Sequence, residues 1–302
     1  MMSQRQYSLR ASTLAEGIFL GTSGWSYKEW VGPFYSTDEE SKIHSYAEVF
    51  RAAEIDSTFY AYPAKGLAVG WQMNTPPGFL FTAKLPRTIT HEERLDVQQG
   101  AAKDLMRFVI MMEPLATSGK LGCLLIQLPP SFAYDPAALE NFFSVLPKNI
   151  SFAVEFRNLS WLRGETWRLL ERHNVAYANV DEPLLPPEVH VTADFTYFRW
   201  HGRGEHIWFD YRYGKDELEP WVPKIKEAAG SVKATYGFFN NHYHGYAVEN
   251  CLQVLEMLGQ AGGVQREALE KVGEYRADPK AFKAKAKAKE RGEGSLDAFM
   301  KP

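Results

Sequence analysis

Short apolar runs that end in polar residues alternate along this chain with longer segments of helical periodicity. Runs of this length, bounded by polar residues, are typical of buried strands. We predict eight strands, at Ile18–Thr22, Ala53–Thr58, Phe79–Lys84, Gly122–Leu128, Phe152–Phe156, Ala176–Asp181, Thr196–His201 and Thr235–Asn240.

Amphipathic segments lie between most of these strands. Their apolar residues recur at spacings of three and four, as in Leu105, Phe108 and Met112, which is the spacing of one helix face. We predict seven helices, at Ile43–Ala52, Lys65–Asn74, Gln98–Ala116, Pro136–Val145, Glu165–Arg172, Asp216–Ala229 and Tyr243–Leu258. No helix is predicted after the sixth strand, because Glu182–Pro187 is too rich in proline to begin one normally.

Eight strands that alternate with about seven helices predict an α/β protein with a TIM-type (β/α)8 barrel. A doubly wound open sheet is the alternative, but it usually has fewer strands. The first strand is also not followed by a GxGxxG phosphate loop, since the turn Gly21–Gly24 lacks that spacing. The barrel is therefore the favoured fold.

The ends of the chain differ in character from the barrel. We predict an N-terminal extension at 1–17, a barrel at 18–259, a basic linker at 260–292 and a terminal peptide at 293–302. A further helix is possible within the linker, over Val264–Tyr275. Residues 275–291 carry a net charge of +5 against −3 for the whole chain, so the rest carries −8. This pattern indicates an acidic globular body with a basic C-terminal extension.

Composition excludes several classes of protein. Two cysteines, Cys123 and Cys251, lie outside any CxxC pair, so we expect two buried thiols rather than a disulfide framework or a cysteine-ligated metal. The polar N-terminal segment lacks the apolar core of a signal peptide, and no apolar run is long enough to span a membrane. We therefore expect a cytoplasmic protein with no membrane partner.

The candidate chemistry lies at the carboxyl ends of the strands, where the loops of a TIM barrel form one mouth. We predict acid, base or ligand roles for Glu54, Glu155, Asp181 and His201, and phosphate or substrate binding by Lys84, Arg87, His91, Arg157, Arg199, Asn240 and Asn241. Residues two apart on a strand share a face, so these ends carry paired polar groups, as in Arg199 and His201. A purely structural network, with Arg199 between Glu54 and Glu155, is the alternative.

Other kinds of site have weaker support. Glu54, Asp56, Glu155, Asp181 and His201 could ligate a divalent metal, but no HxH or HExxH spacing supports one, so the cofactor stays unknown. No GxSxG elbow supports a serine triad. Trp25 and Tyr27, in the first loop, are candidates for stacking against a sugar or a base.

Several segments together resemble the YecE-like family, a domain of unknown function numbered seventy-two. They are Gly21–Tyr27, Glu54–Tyr60, Ala83–Arg87 with Ile89–His91, Gln127–Phe132, Ala153–Arg157, Arg199–Gly202 and Phe239–Asn241. The resemblance implies a TIM barrel similar in shape to xylose isomerase and endonuclease IV, and hence DNA binding or repair. Asp56 and Trp200 depart from the family pattern, and the histidine-rich ligand set of endonuclease IV is absent. A trinuclear-zinc mechanism is therefore not expected.

The last ten residues resemble the C-terminal peptide by which DNA enzymes bind the sliding clamp, PCNA. Leu296 fits its aliphatic position, Phe299 its first aromatic position, and Met300 takes the place of the second aromatic. A short 3₁₀ turn would place these three side chains on one side, where they could fill an apolar pocket. A tail that docks on its own barrel or frays is the alternative.

These observations favour a DNA-maintenance protein that binds a phosphate-containing feature of nucleic acid and is recruited by the clamp. If it is an enzyme, hydrolysis of a phosphodiester or glycosidic bond is the favoured class, with the basic residues neutralising charge and the carboxylates transferring protons. A small-molecule enzyme acting on a sugar or sugar phosphate is the first alternative. A non-catalytic adaptor is the second.

Overall fold

In the computed structural model, eight parallel strands close into a barrel. The structure describes residues 17–39, 41–64, 66–282 and 284. The strands are β1 (Gly17–Ser23), β2 (Ala52–Ile55), β3 (Leu80–Lys84), β4 (Leu121–Gln127), β5 (Phe152–Glu155), β6 (Val175–Asp181), β7 (Phe195–Trp200) and β8 (Ala234–Phe239). They pair in chain order, and β8 pairs with β1. The predicted TIM-type barrel and all eight strands are confirmed.

Helices surround the barrel in the described part of the chain. They are α1 (Lys42–Val49), α2 (Leu67–Met73), α3 (Ala101–Thr117), α4 (Pro136–Ser144), α5 (Gly164–His173), α6 (Lys215–Leu218), α7 (Trp221–Ala229), α8 (Tyr246–Met257) and α9 (Gly263–Ala277). No helix separates β6 from β7, as the prolines predicted. Lys65, the first residue of the second predicted helix, lies outside the described residues.

The predicted count of about seven helices is too low. The segment predicted as one helix over Asp216–Ala229 is two, because Glu219 and Pro220 separate α6 from α7. Proline lacks the N–H that a continuous helix would need at that position. The other helix beyond these seven, α9, is the further helix that was predicted as possible over Val264–Tyr275, and it lies after the predicted barrel.

Helix α9 packs on the barrel rather than extending from it. Val272 is fully buried, Lys271 Nζ donates to Phe34 O over 2.8 Å, and Arg276 pairs with the buried Glu249 of α8. The first half of the predicted basic linker is therefore a docked helix. Residues 1–16 and 285–302, which include the end of that linker and the candidate clamp peptide, lie outside the described residues.

Two apolar cores follow from the alternation of side chains along the strands. Inward-facing residues such as Phe19, Leu125, Tyr197 and Phe238 fill the barrel, and outward-facing ones pack beneath the helices. Cys123 and Cys251 are buried free thiols, as expected. Over the described ranges, no helix combines the length and apolarity needed to cross a membrane.

Candidate site at the barrel mouth

The barrel interior changes from apolar to charged along its axis. On β2 the inward sequence runs from Ala52 to Glu54, on β5 from Ala153 to Glu155, and on β7 from Tyr197 to Arg199. Because the strands are parallel, these polar ends lie at one level, directly above the aromatic filling. The predicted site residues Glu54, Glu155 and Arg199 thus form the top layer of the core.

Arg199 is the centre of this layer. Its Nη2 donates to Glu54 Oε1 over 2.5 Å, and its Nη1 donates to Glu155 Oε2 over 2.6 Å. All three side chains are at most 1% exposed. Ser23 Oγ also donates to Glu54 Oε1, and Tyr197 Oη donates to Glu54 Oε2 over 2.6 Å. The network that was the structural alternative for these residues is therefore present, with both carboxylates fully occupied.

Arg157 forms a second bridge, above the first. It pairs with Glu155 through Nε and with Glu182 through Nη1, and its Nη2 lies 2.9 Å from His201 Nε2. His201 Nδ1 in turn lies 3.0 Å from the Asn240 amide. Glu182 Oε1 has no hydrogen-bond partner among the described residues although it is buried. A half-satisfied buried carboxylate is a costly arrangement and therefore a candidate for function.

Burial and charge set opposite protonation states for these groups. Burial would raise the pKa of Glu155, but Arg157 and Arg199 hold it well below its usual range. For Glu182, burial dominates over the attraction of Arg157 and raises the pKa to about 7. Burial, assisted by the repulsion of Arg157, lowers the pKa of His201 to about 3. At neutral pH, Glu155 is ionised, His201 is neutral and Glu182 is poised to exchange a proton.

Lys84 ends β3 and is held differently from the arginines. Its Nζ donates to Gln127 Oε1 over 2.8 Å and lies 4.3 Å from the centre of the Phe59 ring. No carboxylate oxygen of the described residues lies within 4.0 Å of it. Burial and the repulsion of Arg199 lower its pKa to about 8. His91 packs edge-on against the same phenyl ring, and burial together with Lys84 lowers the pKa of His91 to about 4.

An aromatic and acidic group lies on the β1–β2 side of the mouth. Tyr27 Oη donates to Asp56 Oδ2 over 3.2 Å, and the Tyr27 ring stacks on His242 with 4.4 Å between ring centres. Phe209 lies 5.8 Å beyond His242, centre to centre. Burial and the neighbouring Glu54 raise the pKa of Asp56, while Lys84 opposes this rise. A half-buried carboxyl with a raised pKa, such as Asp56, is a candidate acid–base group.

Four predicted site residues lie away from this cluster. Asp181 is on the outward face of β6, where it accepts bonds from Arg203, Tyr213 Oη and Trp221 Nε1. Asn241, also outward, donates to Tyr211 O and to Asn250. Trp25 packs against Trp71 and Phe81 outside the barrel, and exposed Arg87 pairs with Glu92 over 3.3 Å. The placement gives these four no part in the central geometry.

The alternation of side chains along β6 explains why Glu182 lies in the cluster and the predicted Asp181 does not. Ala176 and Ala178 face the barrel interior, so Glu182 shares their face and Asp181 points to α7. The same argument identifies Ser23 on β1 and Tyr197 on β7 as partners of the charged layer. Phe59, which supports Lys84, follows β2 in a 3₁₀ turn and has no periodic signal in the sequence.

The candidate metal ligands are not arranged as a metal site. Within the described ranges no three His, Cys, Asp or Glu side chains are grouped so that they could hold an ion. Glu54 and Glu155 face Arg199 instead, and Asp181 faces outward. The donor set therefore resembles an ion-pair network more than a coordination sphere.

The family model described as protein of unknown function DUF72 matches residues 19–272. The UPF0759 protein YunF of Bacillus subtilis is 27% identical over 267 residues, covering 80% of this chain and 94% of YunF. The UPF0759 protein YecE of Escherichia coli K12 is 32% identical over 158 residues, covering 51% of this chain and 54% of YecE.

Solved structures show the same fold. A DUF72 family protein of Thermotoga maritima is 35% identical and superposes with a TM-score of 0.72, covering 80% of this chain and 99% of its own. A DUF72 family protein of Enterococcus faecalis is 23% identical, with a TM-score of 0.73 and coverage of 82% and 97%. At that identity the second likeness concerns the fold alone.

Replacing Arg199 should destabilise the protein severely. The Arg199→Met variant leaves Glu54 and Glu155 buried without their shared cation, which costs about 3–5 kcal/mol. Urea unfolding of the unmodified protein and of Arg199→Met measures the difference in the free energy of unfolding. Arg172→Met, which removes an exposed pair with Glu140, is the control and should cost at most about 1 kcal/mol. Equal stability of the two variants would contradict a structural role for the Arg199 network.

Proposed function

The chain belongs to the DUF72 family of proteins of unknown function, and from this premise we propose that its barrel mouth binds a sugar phosphate. A phosphorylated sugar is the chemistry shared by many metabolites and by the backbone of nucleic acids. The proposal therefore includes both the phosphate-containing DNA feature that the sequence favoured and the free sugar phosphate that was its first alternative. Its main support is the state of Lys84.

Of the four predicted phosphate-binding cations, Lys84 alone has no acidic partner among the described residues. Arg199 and Arg157 each pair with two carboxylates, and Arg87 pairs with Glu92. In that part of the chain Lys84 Nζ has a neutral amide as its hydrogen-bond acceptor and lies over an aromatic ring, so its charge is available to a ligand. With a pKa of about 8, it is mostly protonated at neutral pH. A hydrogen bond from such a charged donor contributes roughly 1.5–3 kcal/mol.

The aromatic side chains near Lys84 suit the sugar half of the ligand. Tyr27 and His242 form a stacked pair, Phe209 extends it, and Phe59 lies under the Lys84 ammonium. The apolar face of a sugar ring packs on such surfaces, while Asn240 and Gln127 offer polar contacts to its hydroxyls.

If the site is catalytic, Asp56 and Glu182 are better placed to transfer protons than Glu54 and Glu155. The latter two have both oxygens occupied by buried donors. Burial raises the pKa of Asp56 above its usual range and that of Glu182 to about 7, so both carboxyls hold a proton more readily than an exposed carboxyl does. Hydrolysis of a glycosidic or phosphodiester bond stays the proposed reaction class, with His201 as a neutral positioning group.

Recruitment by a sliding clamp is a separate proposal, supported by the C-terminal residues alone. Leu296, Phe299 and Met300 lie outside the described residues, so the peptide resemblance is its basis. A basic segment before that peptide would also attract DNA phosphates.

Removing the Lys84 charge should weaken phosphate binding. We expect Lys84→Met to lower the affinity for ribose 5-phosphate at least about tenfold, by loss of a charge-assisted bond. Affinity of the unmodified protein should also fall as the pH rises through about 8, since the amine loses its proton there. The groups that set this pKa are Glu54, Glu155, Arg157 and Arg199, with Asp56 beside them.

Calorimetric titration with ribose 5-phosphate, inorganic phosphate and a duplex bearing an abasic-site analogue tests the proposal. Lys103→Met, on the exposed face of α3, is the matched control and should leave affinity unchanged. Preference for the duplex would place the ligand in DNA, and preference for the free sugar phosphate would place it among metabolites. No binding of any of the three would contradict the proposal.

The clamp proposal has its own test. We expect the full chain to bind a sliding clamp in the micromolar range and a version ending at Gly294 not to bind, because the anchors Leu296 and Phe299 are then absent. Calorimetry with both proteins measures this. Unchanged affinity after Phe299→Ala would contradict it.

A further inference from the structure

We infer that Lys84 is a nucleophile that forms an imine with the carbonyl carbon of an open-chain sugar phosphate. The inference rests on the proposed sugar-phosphate site and specifies the substrate class, an aldehyde or ketone. Lys84 takes the two roles in turn: the protonated amine attracts the phosphate as the ligand enters, and the neutral fraction of the same amine then bonds to the carbonyl carbon.

The hydrogen bonding of Lys84 is incomplete for a structural lysine. Within the described ranges its Nζ makes one hydrogen bond, to Gln127, and otherwise faces the Phe59 ring. Lys120, before β4, shows the contrasting arrangement, with Nζ donating to Gln72 O, Thr75 O and Thr75 Oγ1 at 2.7, 2.5 and 2.9 Å. An amine with donors to spare at a barrel mouth is free to approach a ligand carbon.

The surroundings of Lys84 favour the neutral amine that nucleophilic attack requires. Arg199 and Arg157 repel its proton, and burial removes water from the ammonium, so the pKa is about 8. At pH 7.5 the neutral fraction is then about a hundredfold larger than for an exposed lysine of ordinary pKa. Glu54 and Glu155 raise the pKa of Lys84, but their charges are shared with Arg199.

A proton donor and acceptor for the reaction is also present. The neutral Lys84 amine attacks the carbonyl carbon, a C–N bond forms, and Asp56 passes a proton from the new ammonium to the carbonyl oxygen, which becomes a hydroxyl. Asp56 then passes the second proton of that nitrogen to the hydroxyl, which leaves as water, and the C=N bond remains. Burial raises the pKa of Asp56, which suits a carboxyl that takes up and returns protons. Tyr27, hydrogen-bonded to Asp56, positions that carboxyl.

Borohydride trapping tests the inference directly. The full chain is incubated at pH 7.5 with ribose 5-phosphate and sodium cyanoborohydride, which reduces an imine to a stable amine, and modified peptides are quantified by mass spectrometry. We expect the adduct at Lys84 to form at least ten times faster than at exposed Lys103. It should be absent from Lys84→Arg, retained in Lys103→Arg, and suppressed by ribitol 5-phosphate, which has no carbonyl.

Ribitol 5-phosphate separates this inference from the proposed site. If calorimetry shows that it binds while adducts spread evenly over exposed lysines, the imine is overturned and the sugar-phosphate site stands. If it does not bind and Lys84 is not preferentially labelled, both are overturned. Labelling of Lys84 that is slowed by Asp56→Asn but not by Asp96→Asn would further support the proton-transfer route.

Discussion

The structure of the barrel mouth depends on one buried arginine. Arg199 lies directly above an aromatic barrel core, where an unpaired charge would cost several kcal/mol. Glu54 and Glu155 neutralise it from β2 and β5. Tyr197 donates to the other oxygen of Glu54, and Ser23 donates to the oxygen that Arg199 also holds. One ion-pair layer therefore joins strands on opposite sides of the barrel and forms a rigid base for the groups above it.

This base determines which residues remain available for chemistry. Because Arg199 and Arg157 take up the carboxylates of Glu54 and Glu155 and one oxygen of Glu182, the groups of the mouth without an ion-pair partner among the described residues include Lys84, Asp56 and the other oxygen of Glu182. Their pKa values are shifted toward neutrality by burial and by the charged layer below. A structural network and a functional site are thus compatible here, since the first creates the electrostatic environment of the second.

Periodicity in the sequence was sufficient to predict the barrel fold and the end of the barrel at which the site lies. Strands ending in Glu155, Lys84 and Arg199 predicted a polar mouth, and the structure brings these residues together. The alternation of faces along β6 places Glu182, and not Asp181, on the side of Ala176 and Ala178 that faces the interior. The support of Lys84 by Phe59, the docking of α9 and the outward packing of Trp25 depend on loop paths and tertiary contacts that no local pattern encodes.

The most direct test of this account is the pKa of the Lys84 ammonium in the folded protein, measured by NMR titration of its side-chain nitrogen and assigned with Lys84→Arg. A value near 8, well below those of the exposed lysines, would agree with an amine that lacks an acidic partner above a charged layer. A value near the ordinary 10.5 would contradict it and leave Lys84 as a solvated surface cation.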